Sequence, residues 1–203
     1  MNAAIKAVVF DIGGVLLDWN PRHLYRKLFA DEASMERFLA EVCTPEWHVR
    51  HDRGVDMESS CARLAAAHPE YAEEIGAWFT RSEEMVAGMV PGMLDVLEDL
   101  RAANVPCYAL TNIDASTYPL RQARFPFMSS FDGIVVSAHE GLAKPDQEIF
   151  RRLLDRFRLE ASTTLMIDDT AANVAAAAAL GMRAIRFEST PQLRRFLEAE
   201  GLL

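Results

Sequence analysis

Apolar residues along the chain fall into two patterns. The first is short, mostly apolar runs rich in β-branched and aromatic side chains: Ala7-Val8-Val9-Phe10, then residues 105–110, 133–137, 165–167 and, interrupted by Arg183 and Arg186, 183–187. Runs of this length without polar alternation are expected of strands buried on both faces of a parallel sheet. The second is apolar residues three or four apart. Met93, Leu94, Val96, Leu97 and Leu100 form one such stripe, and Ile149, Phe150, Leu153, Leu154 and Phe157 another. Residues 171–180 carry an alanine run that ends at Gly181, a natural left-handed helix stop, and residues 191–200 close the series. Strand and helix alternate at spacings suited to right-handed crossovers. The pattern predicts an α/β protein with a doubly wound, Rossmann-like parallel sheet.

Residues 21–87 read differently. Leu24, Leu28, Phe38, Leu39, Val42 and Leu64 recur at helical spacing among charged residues, and Pro45, Gly54 and Pro69 divide the stretch into short helices. No strand is expected there. We therefore expect a core built from residues 1–18 and 88–203, with residues 19–87 inserted as a small helical cap.

The chain has 203 residues, half of them hydrophobic, enough for one core and a small insert. Lys and Arg number 21 against 30 Asp and Glu, a formal charge of -9. This balance argues against nucleic-acid backbones or anionic membranes as partners. A phosphate ligand would need local help from a metal, a lysine or backbone N–H groups. Cys43, Cys61 and Cys107 have no metal-ligand or redox spacing and are expected to be buried free thiols. No long apolar segment follows Lys6, so a cytoplasmic protein, monomer or homodimer, is expected.

Polar residues close several of the predicted strands. Asp11 follows the first run and precedes Ile12-Gly13-Gly14-Val15; Thr111-Asn112 follows the second; Asp168-Asp169 follows the fourth. Lys144-Pro145-Asp146 opens the helix after the third. Open α/β sheets bind ligands at the carboxyl ends of their strands. Three carboxylates gathered there repel one another and call for cations. Lys144 supplies one, and a hard oxygen-seeking ion such as Mg²⁺ supplies the other. A lysine and a metal in turn suit an anionic ligand, and phosphoryl transfer uses this set of parts. Asp11 can attack phosphorus to form an aspartyl phosphate. Thr111, Asn112, Lys144 and the backbone N–H groups of Ile12 and Gly13 can hold phosphate oxygens.

Phe10-Asp11-Ile12-Gly13-Gly14-Val15, Leu110-Thr111-Asn112, Gly141-Leu142-Ala143-Lys144-Pro145-Asp146 and Ile167-Asp168-Asp169 resemble, in order, the four motifs of the haloacid dehalogenase superfamily. In the insert, Pro45-Glu46-Trp47 and Asp52-Arg53-Gly54 are similar to the branch of sugar-phosphate phosphatases and the phosphatase domain of soluble epoxide hydrolase. The resemblance implies that Asp11 is nucleophile and metal ligand, with Asp168, Asp169 and the Gly13 carbonyl completing the metal site. Thr111 and Lys144 would hold the phosphate. The implied activity is that of a Mg²⁺-dependent phosphoric monoester hydrolase acting on a small phosphorylated metabolite, with a sugar phosphate, and an anomeric 1-phosphate in particular, as the expected substrate.

One position departs from the pattern. Most phosphatases of the superfamily carry a second Asp two residues after the nucleophile as general acid and base; here it is Gly13. A placed general acid is worth about 10²–10⁴ in rate. Either another group protonates the leaving oxygen, for which Asp18 and Asp114 are candidates, or activated phosphates are preferred. In the cap, Trp47 and Arg50 are candidates for substrate contact. Trp47 could equally be cap core, and Asp52 and Arg53 could form a structural ion pair. His48, His51 and His139 read as surface or structural residues. Two other functions stay open: a metal-independent 2-haloacid dehalogenase, and a catalytically impaired fold-mate that binds a phosphorylated ligand.

Overall fold

The computed structural model describes residues 4–203, so the first three residues of the expected 1–18 core segment lie outside it. The chain runs β1 (Ala7–Phe10), β2 (Leu17–Trp19), α1 (Arg22–Tyr25), α2 (Glu32–Glu41), α3 (Pro45–Asp52), α4 (Met57–Ala67), α5 (Ala72–Thr80) and β3 (Val86–Met89). It continues through α6 (Met93–Ala102), β4 (Cys107–Thr111), α7 (Thr117–Arg124), β5 (Gly133–Val136), α8 (Ser137–Glu140) and α9 (Gln147–Phe157). It ends with β6 (Thr164–Asp168), α10 (Ala171–Ala179), β7 (Arg183–Arg186) and α11 (Thr190–Ala199).

Five strands form one parallel sheet in the order β5-β4-β1-β6-β7. β1 lies at the centre and all four of its residues are buried. Alternate side chains go to opposite faces, as strand geometry requires. Val8 and Phe10 pack with Met93, Val96 and Leu97 of α6 and Leu193 of α11. Val9 packs on the other face with Ile149, Phe150 and Leu153 of α9 and Ala177 of α10. The chain builds outward from β1 through β4 to β5, then crosses to β6 and β7 on the other side. β1 is therefore the topological switch point, and the crevice beyond its carboxyl end is where such sheets hold ligands.

The helices α1 to α5 surround an apolar cluster of their own, with Tyr25, Phe38, Trp47, Ile75 and Trp78 among its members. Their starts are marked by side-chain caps: Asp31 accepts from the Ser34 N–H, Thr44 from Trp47 and Asp56 from Ser59. The expectation that residues 21–87 hold no strand is corrected at the end of that stretch by β3, and β2 precedes the stretch. β2 and β3 pair antiparallel where the insert leaves and rejoins the sheet domain. Each is only three or four residues long, and β3 contains Gly88 at φ 153°, so neither shows period-two alternation long enough to read. The three cysteines are buried free thiols. Among the described residues, no helix is long and apolar enough to cross a membrane.

Candidate active site

The site is assembled at the end of β1. The Asp11 N–H donates to the Ile167 carbonyl at 2.9 Å, which ties the residue after β1 to β6. Lys144 enters from the loop before α9, its side chain wholly buried. Its Nζ lies 2.8 Å from Asp11 Oδ2 and 2.7 Å from Asp168 Oδ2. Burial disfavours the ammonium, but Asp11 and Asp168 outweigh it and hold the lysine pKa above its ordinary value. Burial likewise pushes the Asp11 carboxyl up, Lys144 pulls it back, and Asp168 and Asp169 add to the push.

One lysine does not balance three acids. Oxygen atoms of Asp11, Asp168 and Asp169 lie within 4.8 Å of one another. Hard carboxylate oxygens at this spacing, short of positive charge, fit a small divalent cation such as Mg²⁺. Two of these acids are held by neighbours. Asp168, fully buried, accepts at Oδ1 from the Thr170 N–H (2.9 Å) and from Asn173 Nδ2 (2.9 Å). Asp169 lies against Gly14, which has φ +78° and no side chain to obstruct the carboxylate.

A cavity of about 410 Å³ opens between the parallel sheet and helices α1–α5, lined on the sheet side by Asp11, Gly13, Thr111, Asn112, Lys144 and Asp169. Asp168 lies beneath these residues and meets the site through Lys144. Thr111 is buried at the end of β4. Two of the residues expected to hold phosphate are otherwise engaged. Asn112 does not offer its amide to the cavity: Nδ2 donates to the Lys144 carbonyl at 3.0 Å, and Oδ1 accepts the Lys144 N–H at 2.9 Å. The Ile12 N–H donates to Asp11 Oδ1 itself at 2.7 Å.

The cap expectations need correction. Trp47 is buried in the cap cluster, edge-on to Trp78 at 5.3 Å and to His51 at 4.4 Å, and does not line the cavity. Arg50 is exposed and also outside the cavity lining. Trp19, Met57, Trp78 and Met85 supply the apolar wall instead. Of the candidate acids, Asp18 is half exposed and paired with His23, away from the cavity. Asp114 lines it, but its Oδ1 accepts from the Ser116 N–H and hydroxyl and the Thr117 N–H. Asp52 forms no ion pair with Arg53 among the described residues; it is buried and faces the cavity. Of the histidines read as surface or structural, His51 is fully buried and structural, while His48 is partly exposed and lines the cavity. His48 stacks on Trp19 at 5.3 Å.

Two residues that position the site carry little signal in the sequence, and Asn112, expected on phosphate, serves Lys144 instead. Asn173 is a lone polar side chain in an alanine helix, a cue for a buried partner. Ser137 Oγ accepts the Ile113 N–H at 3.0 Å and donates to the Ile113 carbonyl at 3.3 Å, fixing the loop after β4 to the end of β5.

The model of the haloacid dehalogenase-like hydrolase family matches residues 5–181. The chain belongs to this family. As a haloacid dehalogenase-like hydrolase it is 31% identical over 184 residues to a sesquiterpene phosphatase of Aspergillus oryzae, covering 90% of this chain and 89% of the relative. Its fold matches that of a family enzyme from Bacteroides thetaiotaomicron in complex with magnesium and inorganic phosphate. The TM-score is 0.70 at 19% identity, over 92% of this chain and 96% of the other. It also matches the L-2-haloacid dehalogenase of Xanthobacter autotrophicus, with a TM-score of 0.66 at 17% identity, over 98% and 84% of the two chains.

Proposed function

We propose that this hydrolase is a Mg²⁺-dependent phosphatase acting on a small phosphorylated metabolite. The observation that carries the reading is the convergence of the Asp11, Asp168 and Asp169 oxygens within 4.8 Å, with Lys144 bonded to two of the three acids. A carboxylate nucleophile that displaces halide has no need of three acids and a cation in one pocket. A phosphate dianion approaching Asp11 does, because its charge must be neutralised before an anionic nucleophile can reach it.

In this reading an Asp11 carboxylate oxygen attacks phosphorus, the bond from phosphorus to the leaving oxygen breaks, and an aspartyl phosphate forms. Water then attacks phosphorus and frees Asp11. Lys144 favours the ionised form of Asp11 against its burial and meets the charge that develops on the transferred group. Thr111 offers its hydroxyl to a phosphate oxygen. Asp11, Asp168, Asp169 and the Gly13 carbonyl would hold the metal, which when bound supplies further charge neutralisation.

The leaving group sits toward the cap. Trp19, Met57, Trp78 and Met85 offer a mostly apolar wall, which suits a hydrocarbon body or the flat face of a sugar ring. The similarity to a sesquiterpene phosphatase supports the apolar choice. The similarity to a haloacid dehalogenase keeps that activity as the second reading.

p-Nitrophenyl phosphate, a C15 isoprenyl phosphate, sugar 1-phosphates and 2-chloropropionate, each with Mg²⁺ or EDTA, separate the readings. Phosphate release that needs the metal and is lost in Asp11→Asn is expected. Chloride release unaffected by EDTA, without phosphatase turnover, would establish the dehalogenase. Phosphate binding without turnover of any substrate would establish a binding protein.

A further inference from the structure

The end of α3 carries buried ionisable groups that the reaction above leaves unused. Asp52 is 4% exposed and lines the same cavity as Asp11. Its Oδ1 has no hydrogen-bond partner among the described residues. Its Oδ2 is 3.8 Å from His48 Nε2, too far for a hydrogen bond. A buried carboxyl oxygen without a partner is costly and calls for a functional explanation. The position is set by the cap seating on the sheet domain. At Gly54 a side chain would come within 3.0 Å of the Ala138 carbonyl of α8, so this end of the cap is pressed closely onto the core. Asp114 and Lys144 line the same cavity, and their charges act on the Asp52 carboxyl.

On the phosphatase reading, we propose that Asp52 is the general acid and base of this enzyme, delivering from the cap the proton that the loop after β1, with Gly13, cannot. As Asp11 attacks phosphorus and the bond to the leaving oxygen breaks, the Asp52 proton passes to that oxygen. The alcohol leaves neutral and Asp52 becomes a carboxylate. Asp52 then takes a proton from the water that attacks the aspartyl phosphate. The bond from phosphorus to Asp11 breaks, phosphate leaves, and Asp52 is protonated again. Burial, reinforced by Asp114 and opposed by Lys144, pushes the Asp52 carboxyl up to about 7, so it can serve in both forms near neutral pH. His48 is unsuited to give the proton, because burial pulls its pKa down to about 4 and leaves it neutral. Asp114 Oδ1 is taken up by the Ser116 and Thr117 N–H groups, and Asp18 lies away from the cavity.

The test is the dependence of kcat/KM on leaving-group pKa, measured with Mg²⁺ over a series from p-nitrophenyl to alkyl phosphates. The wild-type enzyme is expected to show a shallow slope. Asp52→Asn, which keeps the shape of the side chain, is expected to show a steep one, losing on the order of 10²–10⁴-fold on alkyl phosphates and far less on p-nitrophenyl phosphate. It should also release a burst of nitrophenol, because the aspartyl phosphate accumulates once the base is gone. Gly13→Asp added to Asp52→Asn should recover alkyl phosphate turnover, since a side chain at Gly13 meets only Trp19 Cβ, at 3.7 Å. A steep slope in the wild type, or equal loss on both substrate types in Asp52→Asn, would overturn the proposal while leaving the phosphatase reading intact. A wild-type enzyme that hydrolyses none of the series would instead remove that reading itself.

Discussion

Asn112 grips the main chain of Lys144 from both sides. Its Nδ2 donates to the lysine carbonyl at 3.0 Å and its Oδ1 accepts the lysine N–H at 2.9 Å. The two residues belong to different loops, one after β4 and one before α9. The clamp fixes where the Lys144 side chain begins, and so where its ammonium ends between Asp11 and Asp168. Asn112→Ala removes two hydrogen bonds, each worth about 0.5–1.5 kcal/mol net. We expect a stability loss of about 1–3 kcal/mol in urea melts, and a fall in kcat of at least about tenfold from the loosened lysine. Unchanged kcat in a folded variant would show that Lys144 is positioned without the clamp.

Gly14 and Gly13 are adjacent but face different constraints. Gly14 has φ +78°, and a Cβ there would lie 2.7 Å from Asp169 Cγ. Gly14→Ala should therefore push Asp169 away from Asp11 and Asp168 and add backbone strain of about 1 kcal/mol. The expected signature is a higher Mg²⁺ requirement for turnover, by about tenfold or more, together with a modest drop in Tm. Gly13→Ala meets only Trp19 Cβ at 3.7 Å and should leave Tm nearly unchanged. Titrating Mg²⁺ against activity, with thermal melts of both variants, checks the contrast; an equal effect at the two positions would contradict it.

The sheet was legible because strands buried on both faces must be largely apolar, as β1 is throughout and β4 and β6 are apart from their polar ends. The ribbon of β2 and β3 was not, because three or four residues cannot display a period. α7 was missed for a related reason: Pro119 and a mostly polar sequence hide an eight-residue helix. At the site, Asp11, Lys144, Asp168 and Asp169 could be read because buried charges must be gathered with opposite charges, and strand ends are where the topology allows this. The clamps were not legible. Asn112 and Lys144 are 32 residues apart, and which polar group an amide satisfies is decided by the packing of loops. The cap tryptophans show the same limit. Trp47 and Trp78 both occupy helical positions, but only Trp78 lines the cavity, and their helical spacing alone does not say which.

Lys144 also holds the fold together at its own site. Lys144→Met leaves Asp11 and Asp168 buried without their cation, a change that typically costs about 3–5 kcal/mol. The loss should depend on pH. The Asp11 carboxyl, already raised by burial, loses the opposing pull of Lys144 and rises further. An acid whose folded pKa exceeds its unfolded one binds more protons when folded across that interval, so stability falls as pH rises through it. The deficit of Lys144→Met relative to wild type, measured in metal-free buffer, should thus be larger at pH 8 than at pH 5. A deficit independent of pH would mean that Asp11 does not take up the proton when its partner is removed.

The cap histidines should give the opposite slope. His51 is buried and His48 is largely enclosed at the cavity wall, and desolvation pulls both down to about 4 from an ordinary value of 6.5. Between those values the unfolded chain binds more protons than the folded one, so their contribution to stability is present above pH 6.5 and is lost as pH falls towards 4. Asp52, raised to about 7, works against this, because it favours the folded form at low pH. A melt of the wild type alone therefore mixes the two trends, and a difference measurement isolates one ring. His51 has no hydrogen-bond partner on either nitrogen among the described residues and packs edge-on against Trp47, so a phenyl ring should fit in its place. His51→Phe is expected to track the wild type above pH 7 with a constant offset in unfolding free energy. Below pH 6.5 it should gain on the wild type by at most about 1.4 kcal/mol per pH unit, the slope for one proton. If the offset at pH 5 equals that at pH 8, His51 is not excluded from protonation by the fold, and the cap interior is wetter than its packing indicates.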